Sequence, residues 1–212
     1  MCWCVSLFRA RFLLALSLVL AGCGGAQVHM QGSYPLPLVQ PIPVHAGLLT
    51  DAEFQNYAHE ESIEGYGDWR ISFGQDQQRM FEQTVRGLFA RASSISGMGE
   101  SAVGADLVLK AAVVRSEISI PQQTQTEFFE VRIVYRIDLY EPDGREVLNW
   151  IVSAYGRSDT RNFRVLGNAE SAPALAAATR TALRDASALI ARQLPLQLGM
   201  QTWLQQRSQE SG

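Results

Sequence analysis

An alternation of apolar and mostly polar residues over Phe129–Leu139 constrains the fold more than any other feature of this sequence. A period of two residues is typical of a β-strand with one buried face and one face in water. The turn sequence Glu141-Pro142-Asp143-Gly144 follows, in which proline presets φ and glycine tolerates a positive φ. Val147–Tyr155 then supplies a return strand. The two runs predict an antiparallel hairpin with a covering layer on one side.

Three further runs predict strands. The longest is Leu107–Ile120, which is bulged or bent near Arg115 and ends before Pro121. Trp69–Phe73 and His45–Leu49 are shorter, and they match the strand pattern over fewer residues. Together with the hairpin, these runs predict a mainly antiparallel sheet of about four or five strands.

Two long helices accompany these strands. The first runs from about Asp76 to Ser94 and the second from about Pro173 to Leu194, each with an apolar stripe at helical spacing. Leu196–Gln206 is either a last short helix or an exposed apolar tail. The order of elements predicts an α+β fold, a two-layer sandwich with the two long helices on one face of the sheet. Residues 44–212 are enough for one such domain.

The first 22 residues have the parts of a secretory signal. Arg9 and Arg11 provide positive charge, and Phe12–Ala21 form an apolar run that only Ser17 interrupts. A helix of this length rises about 15 Å, half of the roughly 30 Å core of a bilayer. The run therefore indicates a cleaved signal and not a membrane span.

The signal ends in Leu20-Ala21-Gly22-Cys23, which resembles the lipobox of bacterial lipoprotein precursors. The resemblance implies that residues 1–22 are removed as the signal peptide. It also implies that the Cys23 sulfur carries a diacylglycerol, with fatty acids such as palmitate. Leu20, Ala21 and Gly22 would be the recognition residues. Gly24 follows the cysteine instead of aspartate, which by the sorting rule of enteric bacteria implies the outer membrane, with the domain on its periplasmic face.

Residues 23–43 are predicted to be a tether rich in proline and glycine, which carries the lipidated cysteine at its start. A polyproline segment rises about 3.1 Å per residue, so the tether would reach at most roughly 60 Å. A second alternative is that its apolar side chains lie on the surface of the domain. These side chains are Leu36, Leu38, Val39 and Ile42.

The charge balance disfavours nucleic acid as a partner. The sequence has 18 basic and 21 acidic side chains, and loss of Arg9 and Arg11 with the signal leaves 16 and 21, a net charge of −5. Anionic lipids attract basic residues by about 1 kcal/mol each, whereas each buried CH₂ of an acyl chain contributes about 0.8 kcal/mol. We therefore expect a membrane partner through the lipid anchor and no nucleic-acid partner.

The sequence offers no clear motif for catalysis or for a metal. His59-Glu60-Glu61 begins like the zinc pattern His-Glu-x-x-His, but Ile63 stands where the second histidine is required. Cys2 and Cys4 would leave with the signal, so Cys23 alone forms no intramolecular disulfide. We expect no catalytic residues, no cofactor and no metal.

Two groups of residues are candidates for binding a partner. Tyr57, Tyr66 and Trp69 cluster around two glycines, where exposed aromatic side chains could anchor a partner or, alternatively, cover the edge of the sheet. Arg132 and Arg136 lie on the water-facing side of the predicted strand. That side is either a docking face or an ordinary solvated surface.

These features predict a non-catalytic accessory or adaptor lipoprotein that binds an envelope protein in envelope assembly, secretion or transport. In architecture and anchor alone, the chain resembles several outer-membrane accessory lipoproteins. They are the lipopolysaccharide-assembly plug, the auxiliary lipoproteins of ABC-type lipid transporters and the activators of penicillin-binding proteins. The alternative is a periplasmic module that binds a lipid or glycan between sheet and helices. An envelope hydrolase ranks last, because it requires polar groups that converge in a cleft.

Overall fold

A computed structural model describes residues 25–165 and 168–210 of the chain. The predicted signal peptide lies outside the described residues, and so do Leu20, Ala21, Gly22 and Cys23. The α+β class predicted from the sequence is confirmed by two main sheets, of five and three strands, which are combined with helices.

The described part of the chain contains strands, short helices and three longer helices, interspersed along the sequence. In chain order they are β1 (Gln27–His29), β2 (Ile42–Leu49), α1 (Ala52–Gln55), β3 (Ala58–Ile63), β4 (Gly67–Ser72), α2 (Gly74–Leu88), β5 (Phe89–Ile95), β6 (Leu107–Ser119), α3 (Pro121–Thr124), β7 (Phe128–Tyr140), β8 (Glu146–Asp159), β9 (Arg164–Val165), β10 (Asn168–Ala169), α4 (Ser171–Gln193) and α5 (Leu198–Glu210). Short 3-10 helices cover Gly99–Ala102, Thr160–Phe163 and Leu194–Leu196.

The main sheet has the strand order β5-β2-β6-β7-β8. β6, β7 and β8 pair antiparallel, as the alternating sequence predicts. β2 pairs parallel with both β5 and β6, so the antiparallel half of the sheet is joined to a parallel half. The return connection from β2 to β5 contains α2, and a helical crossover of this kind is what a parallel pair requires.

A β-bulge interrupts the pairing of β6 with β7 near Arg115, where the sequence predicts a bulge or bend. Val113 pairs with Tyr135, and Arg115 pairs with Val134. Val114 is therefore the extra residue on β6, which has no directly opposite residue.

The first long helix ends earlier than the apolar spacing predicts. α2 ends at Leu88 and the chain continues directly into β5, so the predicted end at Ser94 is wrong. The Phe89 amide closes the last helical turn on the Val85 carbonyl, while the backbone of Phe89 is already extended. Ala92, which fits the helical stripe, instead pairs with Ala46 of β2. A short segment is ambiguous between the two periods, and pairing with β2 decides it.

The segment before β2 packs on the folded body. β1 pairs parallel with β4, and β4 pairs antiparallel with β3, in the order β1-β4-β3. Val28, Met30 and Tyr34 are buried in the same core as the main sheet. The fold therefore begins well before residue 44, the predicted start of the domain.

The described part of the predicted tether, residues 25–43, lies against the domain, but only one of the four apolar side chains named in the second alternative is buried. A side chain at Gly87 of α2 would contact Pro37 at 2.6 Å, so the proline-rich segment crosses this helix closely. Among the apolar residues of this segment, Ile42 is buried, whereas Leu36, Val39 and Leu38 are exposed.

α2 and α4 cover the same face of the main sheet. The Phe81 ring of α2 lies 5.3 Å from the Tyr135 ring of β7. α4 crosses β8 so closely that a side chain at Gly156 would overlap backbone atoms of Ala178 and Ala182. Both alanines are fully buried, so their small side chains permit the close approach.

α5 packs beside the turn that joins β7 to β8. Trp203 is 5% exposed, and its indole N–H donates to Glu141 Oε1 at 2.8 Å. Residues 198–206 are therefore helical, not an exposed tail. Within the described ranges, no helix has the length and apolar character needed to cross a bilayer.

Candidate functional site

The face of β6, β7 and β8 that points away from α2 and α4 carries both arginines predicted as binding residues. We call it the outer face, and it is defined by Val114, Arg132, Arg136, Ile151 and Tyr155. In the strand register Arg132 lies opposite Tyr155, and Arg136 lies opposite Ile151. The antiparallel pairing therefore brings these four side chains together on one side of the sheet.

Three large apolar or aromatic side chains are exposed on the outer face. Val114 and Ile151 are each 55% exposed, and Tyr155 is 41% exposed. Val134, between β6 and β8, is 7% exposed. Val113 packs against the core, so alternation along β6 places its neighbour Val114 on the outer face, where the bulge leaves it without a directly opposite residue. Exposed apolar side chains grouped with arginine and tyrosine are typical of protein interfaces.

Two arginines on this side of the sheet are paired with carboxylates, whereas Arg132 is not. Arg136 Nε lies 3.1 Å from Asp138 Oδ2, and Arg115 Nε lies 3.2 Å from Glu117 Oε1. Asp138 is 4% exposed, and Arg136 is its ion-pair partner. Arg132 is exposed and forms no ion pair with any residue in the described ranges.

Tyr155 is held in one orientation by a neighbouring strand. Its hydroxyl donates to Glu130 Oε1 at 2.6 Å. Burial raises the pKa of Tyr155, and the hydrogen bond to Glu130 and the charge of Glu130 raise it further. The phenol therefore stays protonated at neutral pH, and its ring stands fixed beside Arg132.

The three aromatic residues near the two glycines do not form one exposed cluster. Trp69 is 4% exposed, lies 5.6 Å from the Phe129 ring and donates its indole N–H to the Tyr66 carbonyl at 3.2 Å. Tyr57 is half-buried and lies 5.1 Å from the Phe73 ring. Tyr57 and Trp69 therefore belong to the hydrophobic cover of the sheet. Tyr66 is 40% exposed.

A hydrogen-bonded relay of four side chains joins β3 to β6, and no pattern in the sequence predicts it. Ser116 Oγ lies 2.8 Å from the Tyr57 hydroxyl and 2.8 Å from His59 Nδ1. His59 Nε2 lies 3.2 Å from Glu61 Oε2. Because a carboxylate only accepts, Nε2 carries the proton in the neutral ring, and Nδ1 accepts from Ser116. The contact between Tyr57, His59 and Ser116 crosses about 57 residues of sequence, so no local spacing could reveal it.

The order Ser116–His59–Glu61 is that of a hydrolytic triad, but its surroundings differ from those of an active site. The Ser116 oxygen is already bonded to the Tyr57 hydroxyl. A small cavity of about 50 Å³ beside Tyr57 includes neither Ser116 nor His59 in its lining. Because every polar group of the relay is bonded to another, we interpret it as a clamp between the two sheets.

Metal ligands do not converge in the part of the chain that the structure describes. No group of three or more histidine, cysteine, aspartate or glutamate side chains in that part could hold a metal ion. His59 lies next to Glu61, but its other ring nitrogen is bonded to Ser116.

The interface between α4 and the sheet leaves no cleft at the buried alanines of the helix. Ala178, Ala182 and Ala186 are fully buried, and Gly156 contacts the helix backbone directly. A cavity of about 170 Å³ lies elsewhere, between the proline-rich segment and the outward side of α4. It is lined by Tyr34, Pro35, Leu36, Pro37, Arg184, Ser187 and Ala188.

No family model matches this chain, and no curated protein sequence matches it. A protein from Helicobacter pylori, described as a neuraminyllactose-binding hemagglutinin homologue, shares 10% identity with a TM-score of 0.47, covering 87% of this chain and 100% of its own. A minor lipoprotein from Acinetobacter baumannii shares 11% identity with a TM-score of 0.40, covering 73% and 92%. A lipoprotein from Neisseria meningitidis shares 14% identity with a TM-score of 0.30, covering 73% and 100%. Similarity at these levels assigns no function to this chain.

Proposed function

We propose that the chain is a non-catalytic lipoprotein, acylated on Cys23 and anchored in the outer membrane, whose outer face binds an envelope protein on the periplasmic side. The observation that carries the binding role is that exposed Val114, Ile151 and Tyr155 share one side of the sheet with Arg132, which has no ion-pair partner in the described ranges. The lipobox Leu20–Cys23 supports the anchor, because it follows a signal too short to span a bilayer.

The chemistry of the outer face specifies the partner surface that would fit it. Arg132 presents a planar fork of donors, which pairs best with a carboxylate. Exposed Val114 and Ile151 on the same face are matched best by apolar side chains on the partner. The partner is therefore a protein surface with an acidic residue inside an apolar patch, and it would serve in envelope assembly, secretion or transport.

Site-specific photo-crosslinking in cells tests the docking role. A photo-reactive amino acid at Ile151 would lie inside the outer face, and the same amino acid at Gln205 on α5 is the control. We expect one discrete adduct from position 151, identified by mass spectrometry, and none of the same mass from position 205. Identical adducts from both positions would show that the contact is not specific to the outer face.

Reversing the charge of Arg132 tests whether this residue contributes to the crosslinked contact. Arg132→Glu should lower the yield of the adduct at position 151 by about tenfold, because an arginine–carboxylate pair becomes a repulsive pair. Arg86→Glu makes the same charge change on an exposed residue of α2 and should leave the yield unchanged. An adduct that persists at full yield in Arg132→Glu contradicts the role given to this arginine.

The anchor has a separate test. Intact-mass measurement of protein from its own cells should show a chain that begins at Cys23 and carries acyl chains. Cys23→Ala should release the protein from the outer-membrane fraction. A bare Cys23 thiol in the native protein would remove the anchor from the proposal, but would leave the docking experiment unaffected.

The alternative, a lipid- or glycan-binding module, keeps one supporting observation. The cavity of about 170 Å³ beside α4 is mostly apolar and has Arg184 in its lining. Extraction of the purified protein should yield a stoichiometric lipid or glycan if this cavity is a binding site. Arg184→Ala would then lower the recovered amount.

A further inference from the structure

The described chain joins the small sheet almost immediately after the acylation site. Gly25 approaches Asp68 so closely that a side chain at Gly25 would overlap the Asp68 carbonyl. The Ala26 carbonyl accepts a hydrogen bond from the Arg70 amide at 2.9 Å. Cys23 is two positions before Gly25, which allows a separation of at most about 7 Å.

This attachment point lies beside the tip of the β3–β4 hairpin. β1 runs parallel to β4, and β4 begins at Gly67, directly after the turn. The chain therefore enters the sheet at the same end as the hairpin tip, which we define as Glu64, Gly65 and Tyr66. All three residues of the tip are exposed.

The hairpin tip is also at one end of the whole sandwich. Phe54 packs near Tyr135 in the middle of β7, whereas Trp69 packs against Phe129 near its start. The small sheet thus runs along β7 with its tip beyond the first residues of that strand. The opposite end of β7, with α5 beside it, is roughly 36 Å from Phe129 along the strand.

We propose that the hairpin tip rests on the headgroups of the bilayer to which Cys23 is anchored. This inference rests on acylation of Cys23, which is part of the proposed function. An anchor only about 7 Å from the sheet leaves no room for a water layer thick enough to free the domain. Tyr66 is a residue type that is favoured at the membrane–water interface. Glu64 and Asp68 are exposed carboxylates, so the contact suits zwitterionic headgroups better than anionic ones.

The proposed orientation has a consequence for the docking partner. The strands of the main sheet lead away from the anchored end, so the outer face stands at a defined height above the bilayer. A long extended tether would let the domain search a wide volume, whereas this short attachment restricts it to partners at the same membrane.

Fluorescence quenching on vesicles tests the contact. The full chain is produced as acylated protein and placed on vesicles of phosphatidylcholine and phosphatidylethanolamine. Glu64→Cys provides a thiol for an environment-sensitive dye at the hairpin tip, and Gln205→Cys provides the matched site at the far end. Labelling is specific because Cys2 and Cys4 leave with the signal peptide and the thiol of Cys23, the remaining cysteine, is acylated. We expect aqueous iodide to quench the dye at position 64 several-fold less than the dye at position 205.

A variant with a spacer tests whether the short attachment is the reason that the dye at position 64 is protected from iodide. Insertion of about 20 Gly and Ser residues between Gly24 and Gly25 extends the reach by roughly 25 Å. Quenching at position 64 should then rise to the value at position 205. Equal quenching at the two positions without the spacer overturns the proposal, and so does protection that survives the spacer. A chain that fails to float with the vesicles instead shows that the anchor itself is missing, which is a failure of the proposed function.

Discussion

At the scale of single residues, Asp76 is a buried carboxylate that holds the segment before β2 in place. It is 1% exposed, and its Oδ1 accepts from the Gly32 amide at 2.7 Å and from the Tyr34 hydroxyl at 3.3 Å. Arg79 Nη2 lies 2.9 Å from its Oδ2. Asp76→Ala should lower the free energy of unfolding by about 3 kcal/mol, because two donors and an arginine lose their partner.

Urea denaturation measures this loss, and Asp68→Ala is the control, because Asp68 is an exposed aspartate on β4. Asp76→Asn keeps one acceptor oxygen and should fall between the wild type and Asp76→Ala. If Asp76→Ala is no less stable than Asp68→Ala, the carboxylate does not hold the segment.

Tyr34 makes stability sensitive to alkaline pH. Burial raises the pKa of Tyr34 first, and the charge and hydrogen bond of Asp76 raise it further. The fold therefore favours the protonated phenol. This contribution is fully present below the ordinary tyrosine pKa of about 10 and is lost as the pH rises through the raised value. Stability measured by urea denaturation should fall above pH 10, and less steeply in Tyr34→Phe. Tyr66→Phe, at an exposed site, should keep the wild-type slope.

Ser116 bonds to two residues that stand out in the sequence, although it does not stand out itself. Tyr57 and His59 stand out in the sequence as an aromatic and a histidine, whereas Ser116 is an unremarked residue of a long strand. Ser116→Ala should destabilise the fold by about 1–3 kcal/mol, because the Tyr57 hydroxyl and His59 Nδ1 lose a shared partner. Ser119→Ala, on the other side of the same strand, is the matched control. Thermal melts in which both variants match the wild type would contradict the clamp.

At the scale of elements, the contact between α4 and β8 sets the spacing of the two layers. Gly156→Ala places a methyl group against backbone atoms of Ala178 and Ala182, which cannot rotate away. We expect a loss of about 1–3 kcal/mol or more. Gly97→Ala is the control, because its new methyl group meets only Ser101 at 3.4 Å. Equal melting temperatures for the two variants would mean that α4 shifts freely over the sheet.

The elements also show which features sequence patterns can predict. β7, β8 and the turn between them follow from local alternation and turn chemistry, and the long α4 follows from its stripe and its proline stop. β5 could not be predicted, because Phe89–Ile95 becomes a strand only through parallel pairing with β2, which lies about 45 residues earlier. β1 has three residues and no period of its own, so only its pairing with β4 reveals it.

The candidate site also contains residues that sequence patterns predict and residues that they do not. Alternation on β7 correctly assigns Arg132 and Arg136 to the water-facing side of the sheet, because neighbouring side chains on a strand point to opposite faces. Ile151 and Val114 join these arginines only through the pairing of β8 and β6 with β7, which local spacing does not specify. Burial of Trp69 depends on its contact with Phe129, which comes from a distant strand.

At the scale of the whole molecule, the N-terminal segment is part of the fold and not an appendage to it. Val28, Met30 and Tyr34 lie in the common core, and β1 completes the small sheet. A chain without residues 1–24 keeps all of these contacts and should unfold at the same temperature as the full chain. A chain without residues 1–34 loses β1 and leaves Asp76 without the Gly32 and Tyr34 donors, so its melting temperature should fall by several degrees, about 2–4 °C for each kcal/mol lost. If the two shortened chains melt together, the segment contributes nothing to the core and behaves as the tether that its prolines suggest.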